Sequence, residues 1–156
     1  MTLTTERLRI YPATQSQMED IIASETDGGL RAAYSEMLEG GLRHPGQWEW
    51  FSLWMIELHG GTLVGGLCFK GLNPDGTAEI GYGISDGYRR KGYATEAVRA
   101  VCSWAFQNPA VTRIEAETAP DNTASVRVLV KCGFVDSGKL GEEGSRFVLD
   151  RGNDEG

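Results

Sequence analysis

Three consecutive basic residues at positions 89 to 91 stand immediately before a segment with helical spacing. Aligned peptide dipoles give a helix N-terminus a partial positive charge, so cations at this end are unfavourable unless an anion binds there. The first N–H groups of a helix lack partners within the helix and are natural donors to phosphate oxygens. Gly92 and Ala94 are small enough for such oxygens to approach the backbone, and Thr95 adds a hydroxyl. The segment predicts a polyanion site, although a solvated basic turn is the alternative.

Two familiar phosphate-binding motifs fail here at their defining residues. A Walker loop requires Lys and then Ser or Thr after its last glycine, whereas Tyr93 and Ala94 follow Gly92. A dinucleotide-binding loop requires G-x-G-x-x-G, and Gly87 falls one residue late for it. The pattern that does fit is R-x-x-G-x-A, which Arg89 begins and Ala94 ends.

Alternating strand and helix patterns surround this turn. The segment "RLRIYPA" predicts a short strand with Leu8 and Ile10 on one face, and two short helices are expected at about 14–25 and 29–39. A hairpin follows, with glycines in its turn. The segment "TAEIGYGIS" predicts the strand that leads into the basic turn.

The second half of the chain repeats strand–helix–strand units. Its later elements are a helix from about residue 92, the strand "VTRIEAETA", a helix over "DNTASVRVLVKCG" and the strands "FVDSGKL" and "SRFVLDR". Asp121 or Asn122 can cap the second of these helices. Strands joined through a helix pair in parallel, so the sequence predicts an α/β fold with a mixed sheet.

Composition limits the class of protein. A chain of 156 residues fits one domain, which we place at residues 1–150, and the polar residues 151–156 are expected to fray. The formal net charge of −7 argues against non-specific binding to nucleic acid or to an anionic membrane. No apolar run reaches the roughly 20 residues of a membrane helix, and "MTLTTERLRIYPA" lacks the apolar core of a signal peptide. We therefore expect a cytoplasmic protein.

Cysteine and histidine residues do not have the spacing of a metal site. Cys68, Cys102 and Cys132 are odd in number and widely separated, which predicts reduced thiols. His44 and His59 lie in expected loops with no motif around them. We expect no bound metal, and hydrolase and metalloenzyme functions lack support.

The ordered set of motifs resembles one protein family. The segments "EIGYGISDGYRRKGYATEAVRAVCSWAF" and "VTRIEAETAPDNTASVRVLVKCGF", preceded by "TTERLRIYPAT", are similar to the GNAT superfamily of N-acetyltransferases, in the branch of ribosomal-protein N-terminal acetyltransferases. The resemblance covers nearly the whole chain in order and is weakest between about 25 and 55. It implies a splayed, mixed sheet of six to seven strands flanked by about four helices. It also implies acetyl-coenzyme A as the co-substrate.

The resemblance assigns roles to particular residues. Backbone N–H groups of residues 90 to 95 would hold the diphosphate, and residues 83 to 85 would run beside the pantetheine arm. Asn122 would hydrogen-bond that arm, cap its helix, or do both. The residues implied for the cofactor are Gly83, Ile84, Ser85, Arg89, Arg90, Lys91, Gly92, Tyr93, Ala94, Thr95, Asn122 and Ser125.

Acetyl transfer to an amine requires a proton acceptor, because an ammonium group has no lone pair. Glu79 is the best candidate, since Gly81 and Gly83 on its face leave a slot for an acceptor or a relay water. The alternative is that Glu79 points to solvent or pairs with an arginine. A strand-end N–H near Ile84 is the candidate donor to the oxyanion, and the thiolate is itself a fair leaving group.

The general acid is open. Many GNAT members carry a tyrosine near the end of the helix before the "GF" dipeptide, and Leu129 stands at that position here. Tyr82, Tyr88, Tyr93 or Ser125 could substitute for it, or no acid is needed.

Two classes of function remain. The first is an N-acetyltransferase that moves an acetyl group from acetyl-coenzyme A directly to a primary amine in a ternary complex. Its acceptor would be a protein N-terminus or a small cationic amine. The alternative is a module that binds acyl-coenzyme A without turnover. The sequence does not choose the acceptor, nor does it decide between a monomer and a homodimer.

Overall fold

A computed structural model describes residues 1–152, and the remainder of the predicted tail, residues 153–156, lies outside the described residues. The strands are β1 (Leu3–Thr4), β2 (Leu8–Pro12), β3 (Trp54–Leu58), β4 (Leu63–Phe69), β5 (Thr77–Ile84), β6 (Arg113–Thr118), β7 (Val135–Leu140) and β8 (Ser145–Asp150). The α-helices are α1 (Gln15–Ser24), α2 (Gly28–Arg43), α3 (Tyr93–Phe106) and α4 (Thr123–Lys131). Short 3-10 helices cover Pro45–Trp50 and Asp86–Tyr88.

The strands form one sheet in the order β1-β2-β3-β4-β5-β6-β8-β7. Neighbouring strands are antiparallel except β5 and β6, which are parallel. The predicted α/β class with a mixed sheet is confirmed, but the described residues contain eight strands instead of six or seven. The additional strand, β1, has only two residues, too few for an alternating pattern to reveal it. β6 and β7, which α4 connects, run parallel to each other but are not neighbours, because β8 lies between them and pairs with both.

Helix α2 extends beyond its predicted end at about residue 39, to Arg43. Gly40 and Gly41 resemble a helix stop in the sequence, yet they serve packing. A Cβ added at Gly41 would lie 2.5 Å from a ring atom of Trp48, and one at Gly40 would lie 2.6 Å from Phe51. The glycines therefore allow aromatic rings to approach the helix backbone closely.

Strands β5 and β6 separate part of the way along. Their parallel pairing runs from Thr77 opposite Arg113 to Glu79 opposite Glu115 and then stops. β5 continues to Ile84, paired with β4 on its other side. The splayed sheet that the resemblance implies is therefore present, with a gap beside the last residues of β5.

An aromatic cluster fixes α3 against the sheet. The ring centroid of Trp104 in α3 lies 5.0 Å from that of Trp54 in β3 and 5.1 Å from that of Trp50. Trp54 is completely buried, as are Leu8 and Ile10 of β2, which confirms the predicted inner face of that strand. Tilted and edge-on aromatic pairs at these distances stabilise the fold beyond the area they bury. This packing holds α3 across the sheet and keeps its N-terminus at the end of β5.

Glu96, in the first turn of α3, connects this helix to the N-terminal segment. Its carboxylate accepts hydrogen bonds from the hydroxyl of Thr5 at 2.5 Å, from the backbone N–H of Arg7 at 2.9 Å and from Nε of Arg7 at 2.7 Å. Partial burial opposes ionisation of Glu96, but the bonds from Thr5 and Arg7 outweigh it and lower the pKa of the carboxyl group. The ionised carboxylate therefore stabilises the contact between the N-terminal segment and α3.

We expect the Glu96→Gln variant to be less stable than the wild type by on the order of 1 kcal/mol at neutral pH, because charge-assisted hydrogen bonds are lost. Since folding lowers the pKa of Glu96, its contribution is fully present above the unfolded value of about 4.5 and is lost as the pH falls through the folded value. Urea unfolding between pH 3 and 7 should therefore show the difference between the two proteins shrinking below about pH 4.5.

The matched control is Glu36→Gln, which removes an exposed carboxylate from α2. It should leave the unfolding free energy close to that of the wild type at every pH. A Glu96→Gln difference that stays constant down to pH 3 would show that the ionised carboxylate is not the source of the stabilisation.

Candidate functional site

The turn between β5 and α3, residues 85–92, presents unpaired backbone donors. Gly92 is the N-cap of α3, has a left-handed φ of 84°, and provides no side chain to cap the helix. Arg90 is also left-handed, with a φ of 63°. No described residue accepts a hydrogen bond from the backbone N–H groups of residues 90 to 95. Successive N–H groups in such a conformation form a concave anion site.

The basic residues of the turn divide into two kinds. Arg89 folds back, so that Nε donates to the carbonyl oxygen of Ile84 at 3.1 Å and its guanidinium lies 3.1 Å from the carboxylate of Asp86. Arg90 and Lys91 are exposed and make no ion pair with any described residue. Two cations therefore remain available beside the free N–H groups.

The gap beside β5 is lined by backbone groups of alternate residues. In an antiparallel ladder, successive residues direct their N–H and C=O groups toward the partner strand and away from it in turn. Ser85 donates its N–H to Val64 at 2.8 Å, so Gly83 faces β4 as well. Tyr82 and Ile84 consequently direct their backbone groups into the gap. The contact of Arg89 with the carbonyl of Ile84 agrees with this orientation.

The N-terminal end of α4 lies across from Tyr82. Asn122 caps the helix, with its side-chain oxygen accepting from the N–H of Ser125 at 3.0 Å. The helix-cap interpretation of Asn122 is thus what the structure shows, and its side-chain NH₂ group donates to no described residue. The hydroxyl of Tyr82 lies 3.0 Å from that of Ser125. Burial raises the pKa of Tyr82, against the opposing effect of the Ser125 bond, so its hydroxyl stays protonated at neutral pH.

The residue at the position of the usual family tyrosine cannot act as a general acid. Leu129 is completely buried in the core and carries no exchangeable proton. Tyr93, another candidate from the sequence, has its ring 4.6 Å from the guanidinium carbon of Arg7. Tyr82 is therefore the candidate acid whose hydroxyl reaches α4.

Glu79 belongs to a charged cluster on the opposite face of the sheet. Its carboxylate lies 3.0 Å from Nζ of Lys70 and 3.2 Å from Nη2 of Arg146. Arg146 also contacts Glu115 at 2.8 Å and Glu117 at 2.6 Å. The alternative that Glu79 pairs with an arginine is thus realised. Hydrogen bonding, to Glu115 above all, raises the pKa of Arg146, and the backbone N–H of Glu143 together with Arg146 lowers the pKa of Glu117.

The face of β5 that carries Glu79 is open at its glycines. A Cβ added at Gly81 or Gly83 would meet no atom within 4 Å. Glu79 itself is about a quarter exposed. This face of β5 therefore has room for a ligand next to a carboxylate, on the side opposite α4.

Arg7 and Arg146 belong to the site region and were not found from the sequence. Cross-strand alternation could have suggested Arg146, because it lies directly opposite Glu117 in the β6–β8 ladder. Arg7 donates to the carbonyl oxygen of Lys91, 84 positions away, and no local pattern indicates that contact.

Within residues 1–152, no helix has the length and apolar character needed to cross a membrane. The same residues contain no group of three or more His, Cys, Asp and Glu side chains arranged to hold a metal ion.

Comparison with known proteins identifies the family. A family profile described as "Acetyltransferase (GNAT) domain" matches residues 6–135. The fold is similar to that of RimL, described as "Ribosomal L7/L12 alpha-N-protein acetyltransferase in complex with Coenzyme A". The TM-score is 0.74 at 15% identity, over 96% of this chain and 98% of that chain.

Two bacterial proteins are similar in sequence. The "Uncharacterized N-acetyltransferase p20" of Bacillus licheniformis is 30% identical over 138 residues, which cover 87% of this chain and 68% of that protein. The "Uncharacterized N-acetyltransferase YjdG" of Bacillus subtilis (strain 168) is 38% identical over 95 residues, 59% of this chain and 56% of that protein. The match thus spans little more than half the length of the second relative. The profile and the first relative together show that the chain belongs to the GNAT family of acetyltransferases, which use acetyl-coenzyme A.

Proposed function

We propose that this protein transfers the acetyl group of acetyl-coenzyme A directly to a primary amine within a ternary complex. The observation that carries the proposal is the run of N–H groups at residues 90 to 95, which no described residue accepts, beside the unpaired cations Arg90 and Lys91. Such a surface is complementary to a diphosphate.

The proposed cofactor site extends from the turn into the gap. The N–H groups of residues 90 to 95 would hold the diphosphate. Tyr82 would pair with the amides of the pantetheine arm and Ile84 would lie beside it, because their backbone groups face the gap, while Gly83 and Ser85 would contribute surface. Asn122 has a side-chain donor left for the same arm after capping α4.

The chemistry follows from the two faces of β5. Acetyl-coenzyme A supplies a thioester, whose carbonyl carbon is electrophilic and whose thiolate is a fair leaving group. Glu79 lies five residues before Ile84 on β5, so it would take one proton from the incoming ammonium through a chain of waters. The freed lone pair would form the C–N bond as the C–S bond breaks, and the second proton on nitrogen would pass toward the departing sulfur. The N–H of Ile84 would donate to the carbonyl oxygen as charge develops there. Tyr82, which stays protonated, would be the candidate to relay a proton to the departing sulfur.

The acceptor would be a protein N-terminus or a small cationic amine. The slot beside Gly81 and Gly83 lies next to Glu79, and the carboxylates of Glu115 and Glu117 share its cation Arg146. The formal net charge of −7 attracts cations at longer range. Both features favour an amine that arrives protonated.

A thiol-release assay tests the function itself. The wild-type protein with acetyl-coenzyme A should release coenzyme A with at least one member of a panel of peptides with free N-termini, polyamines and aminoglycosides. Mass spectrometry should find the acetylated amine, and peptides with a blocked N-terminus and no lysine serve as the control. Tight coenzyme A binding by calorimetry without thiol release from any amine would instead favour a binding module.

Reversing the charges at Arg89, Arg90 and Lys91 to Glu should weaken coenzyme A binding by about 100-fold or more, since each lost contact with the diphosphate is worth about 1 kcal/mol. Isothermal titration calorimetry measures the change. The matched control reverses three exposed cations elsewhere, Arg31, Arg43 and Lys139. It gives the same net charge, so an equal loss of affinity in both variants would contradict a local diphosphate site.

The Glu79→Gln variant should lower kcat by about 100-fold at neutral pH, because the proton acceptor is lost. The Michaelis constant for acetyl-coenzyme A should stay close to that of the wild type. The deficit should narrow as the pH approaches the pKa of the acceptor amine, since less proton transfer to the enzyme is then required. Steady-state kinetics between pH 6 and 10 provides the measurement.

Glu115→Gln is the matched control for Glu79, because it removes a neighbouring carboxylate that also contacts Arg146. If both variants lose activity equally at every pH, the cluster has a structural role and Glu79 is not the proton acceptor.

A further inference from the structure

We propose that Arg7 is a positioning residue that fixes the turn at residues 85–92 in the shape that receives the diphosphate. The inference rests on the proposed function, and it concerns a residue outside the motif that binds the cofactor. Arg7 lies just before β2, far from the turn in sequence. Its side chain nevertheless hydrogen-bonds to the turn and to α3.

The guanidinium of Arg7 contacts three residues, one in the turn and two in the first turn of α3. Nη1 donates to the carbonyl oxygen of Lys91 at 2.7 Å, and Nε donates to the carboxylate of Glu96 at 2.7 Å. The guanidinium carbon lies 4.6 Å from the ring centroid of Tyr93, within range of a cation–π interaction. These contacts surround Gly92, where an added Cβ would lie 3.1 Å from Nη2.

The bond to Lys91 determines the direction of a donor. The peptide between Lys91 and Gly92 is planar and trans, so its C=O and N–H point in opposite directions. Because Arg7 holds the carbonyl oxygen, the N–H of Gly92 is directed to the other side of the turn. That N–H is one of the donors that make no hydrogen bond to any described residue.

The turn needs an external restraint because its backbone is strained. Arg90 has a φ of 63°, and the left-handed region is sterically unfavourable for a residue that carries a Cβ. Mutual repulsion of Arg89, Arg90 and Lys91 at a positive helix end adds to this cost. Without this restraint the turn would also adopt conformations that do not bind the diphosphate. The affinity for the ligand would then fall in proportion to the fraction of molecules that keep the binding conformation.

The contacts require the shape of arginine as well as its charge. Glu96 orients the guanidinium through Nε, which leaves Nη1 directed at Lys91 and Nη2 beside Gly92. A lysine ammonium is a point charge without this fixed fork, so it cannot hold the carboxylate and the carbonyl in the same geometry.

The test compares two acetyl donors in Arg7→Met, Arg7→Lys and the wild type. Acetyl-coenzyme A contains the diphosphate, and acetyl-pantetheine lacks it. We expect kcat/KM for acetyl-coenzyme A to fall about tenfold in Arg7→Met and nearly as much in Arg7→Lys. We expect kcat/KM for acetyl-pantetheine to stay within about twofold of the wild type in both. Calorimetry should show the same tenfold weakening for coenzyme A binding.

The matched control is Arg9→Met, which removes a similarly exposed arginine from β2. Arg9 pairs with Glu57 at 3.5 Å and does not contact the turn. It should leave both donors unaffected. Thermal unfolding of each variant separates loss of fold from loss of positioning, and Arg7→Lys provides the second measurement if Arg7→Met does not fold.

Three results would overturn the proposal: equal losses with both donors, full retention of acetyl-coenzyme A activity in Arg7→Lys, or unchanged coenzyme A affinity in both Arg7 variants. A wild-type protein that binds no coenzyme A would instead remove the proposed function and this inference with it. The two kinds of failure are therefore distinguishable.

Discussion

Pairing between β5 and β6 ends at Glu79, and this break leaves backbone groups of β5 without a partner strand. Backbone N–H and C=O groups require hydrogen-bond partners. Tyr82 and the N–H of Ile84 face the gap, and the N–H groups of residues 90 to 95 have no described acceptor. In the proposed complex, one ligand with amides along an arm and a diphosphate at its end would satisfy both sets. The splay of the sheet and the shape of the turn would then be two parts of a single binding surface.

Opposite charges coexist along β5 because distance and water separate them. The strand rises about 3.3 Å per residue, which places Glu79 and Ile84 about 16 Å apart. That separation is about twice the Debye length of roughly 8 Å at physiological ionic strength. The glutamates around Arg146 thus do not cancel the positive field of the turn. A chain with a formal net charge of −7 can in this way present a local anion site at one end of a strand and a cation-attracting face at the other.

Local signals predicted most of the fold and the turn, whereas long-range contacts escaped them. The cap at Asn122 and the strand before the basic turn follow from a few neighbouring residues, and the sequence contained them. The end of α2 was missed because Gly40 and Gly41 do not stop the helix; they are small so that aromatic rings can pack against its backbone. Arg7 and Arg146 were missed because their partners are set by the sheet order, which no short pattern specifies. Residues whose backbone groups form the candidate site lie in local motifs and are therefore easier to predict than distant residues, such as Arg7, whose side chains contact that backbone.

The ion pairs of Glu79 are compatible with proton uptake once the whole cluster is counted. Glu79, Glu115 and Glu117 are three carboxylates against the two cations Arg146 and Lys70, which leaves one net negative charge. In the proposed reaction, an ammonium acceptor entering the slot beside them would be attracted by that charge. When one proton passed to Glu79, the cluster would become neutral, and Arg146 would keep Glu115 and Glu117 as partners. Each carboxylate oxygen also has a second lone pair beyond the one facing its cation. In the proposed reaction Glu79 could therefore accept a proton while Arg146 keeps two carboxylate partners, and the largely exposed Lys70 would be left to solvent.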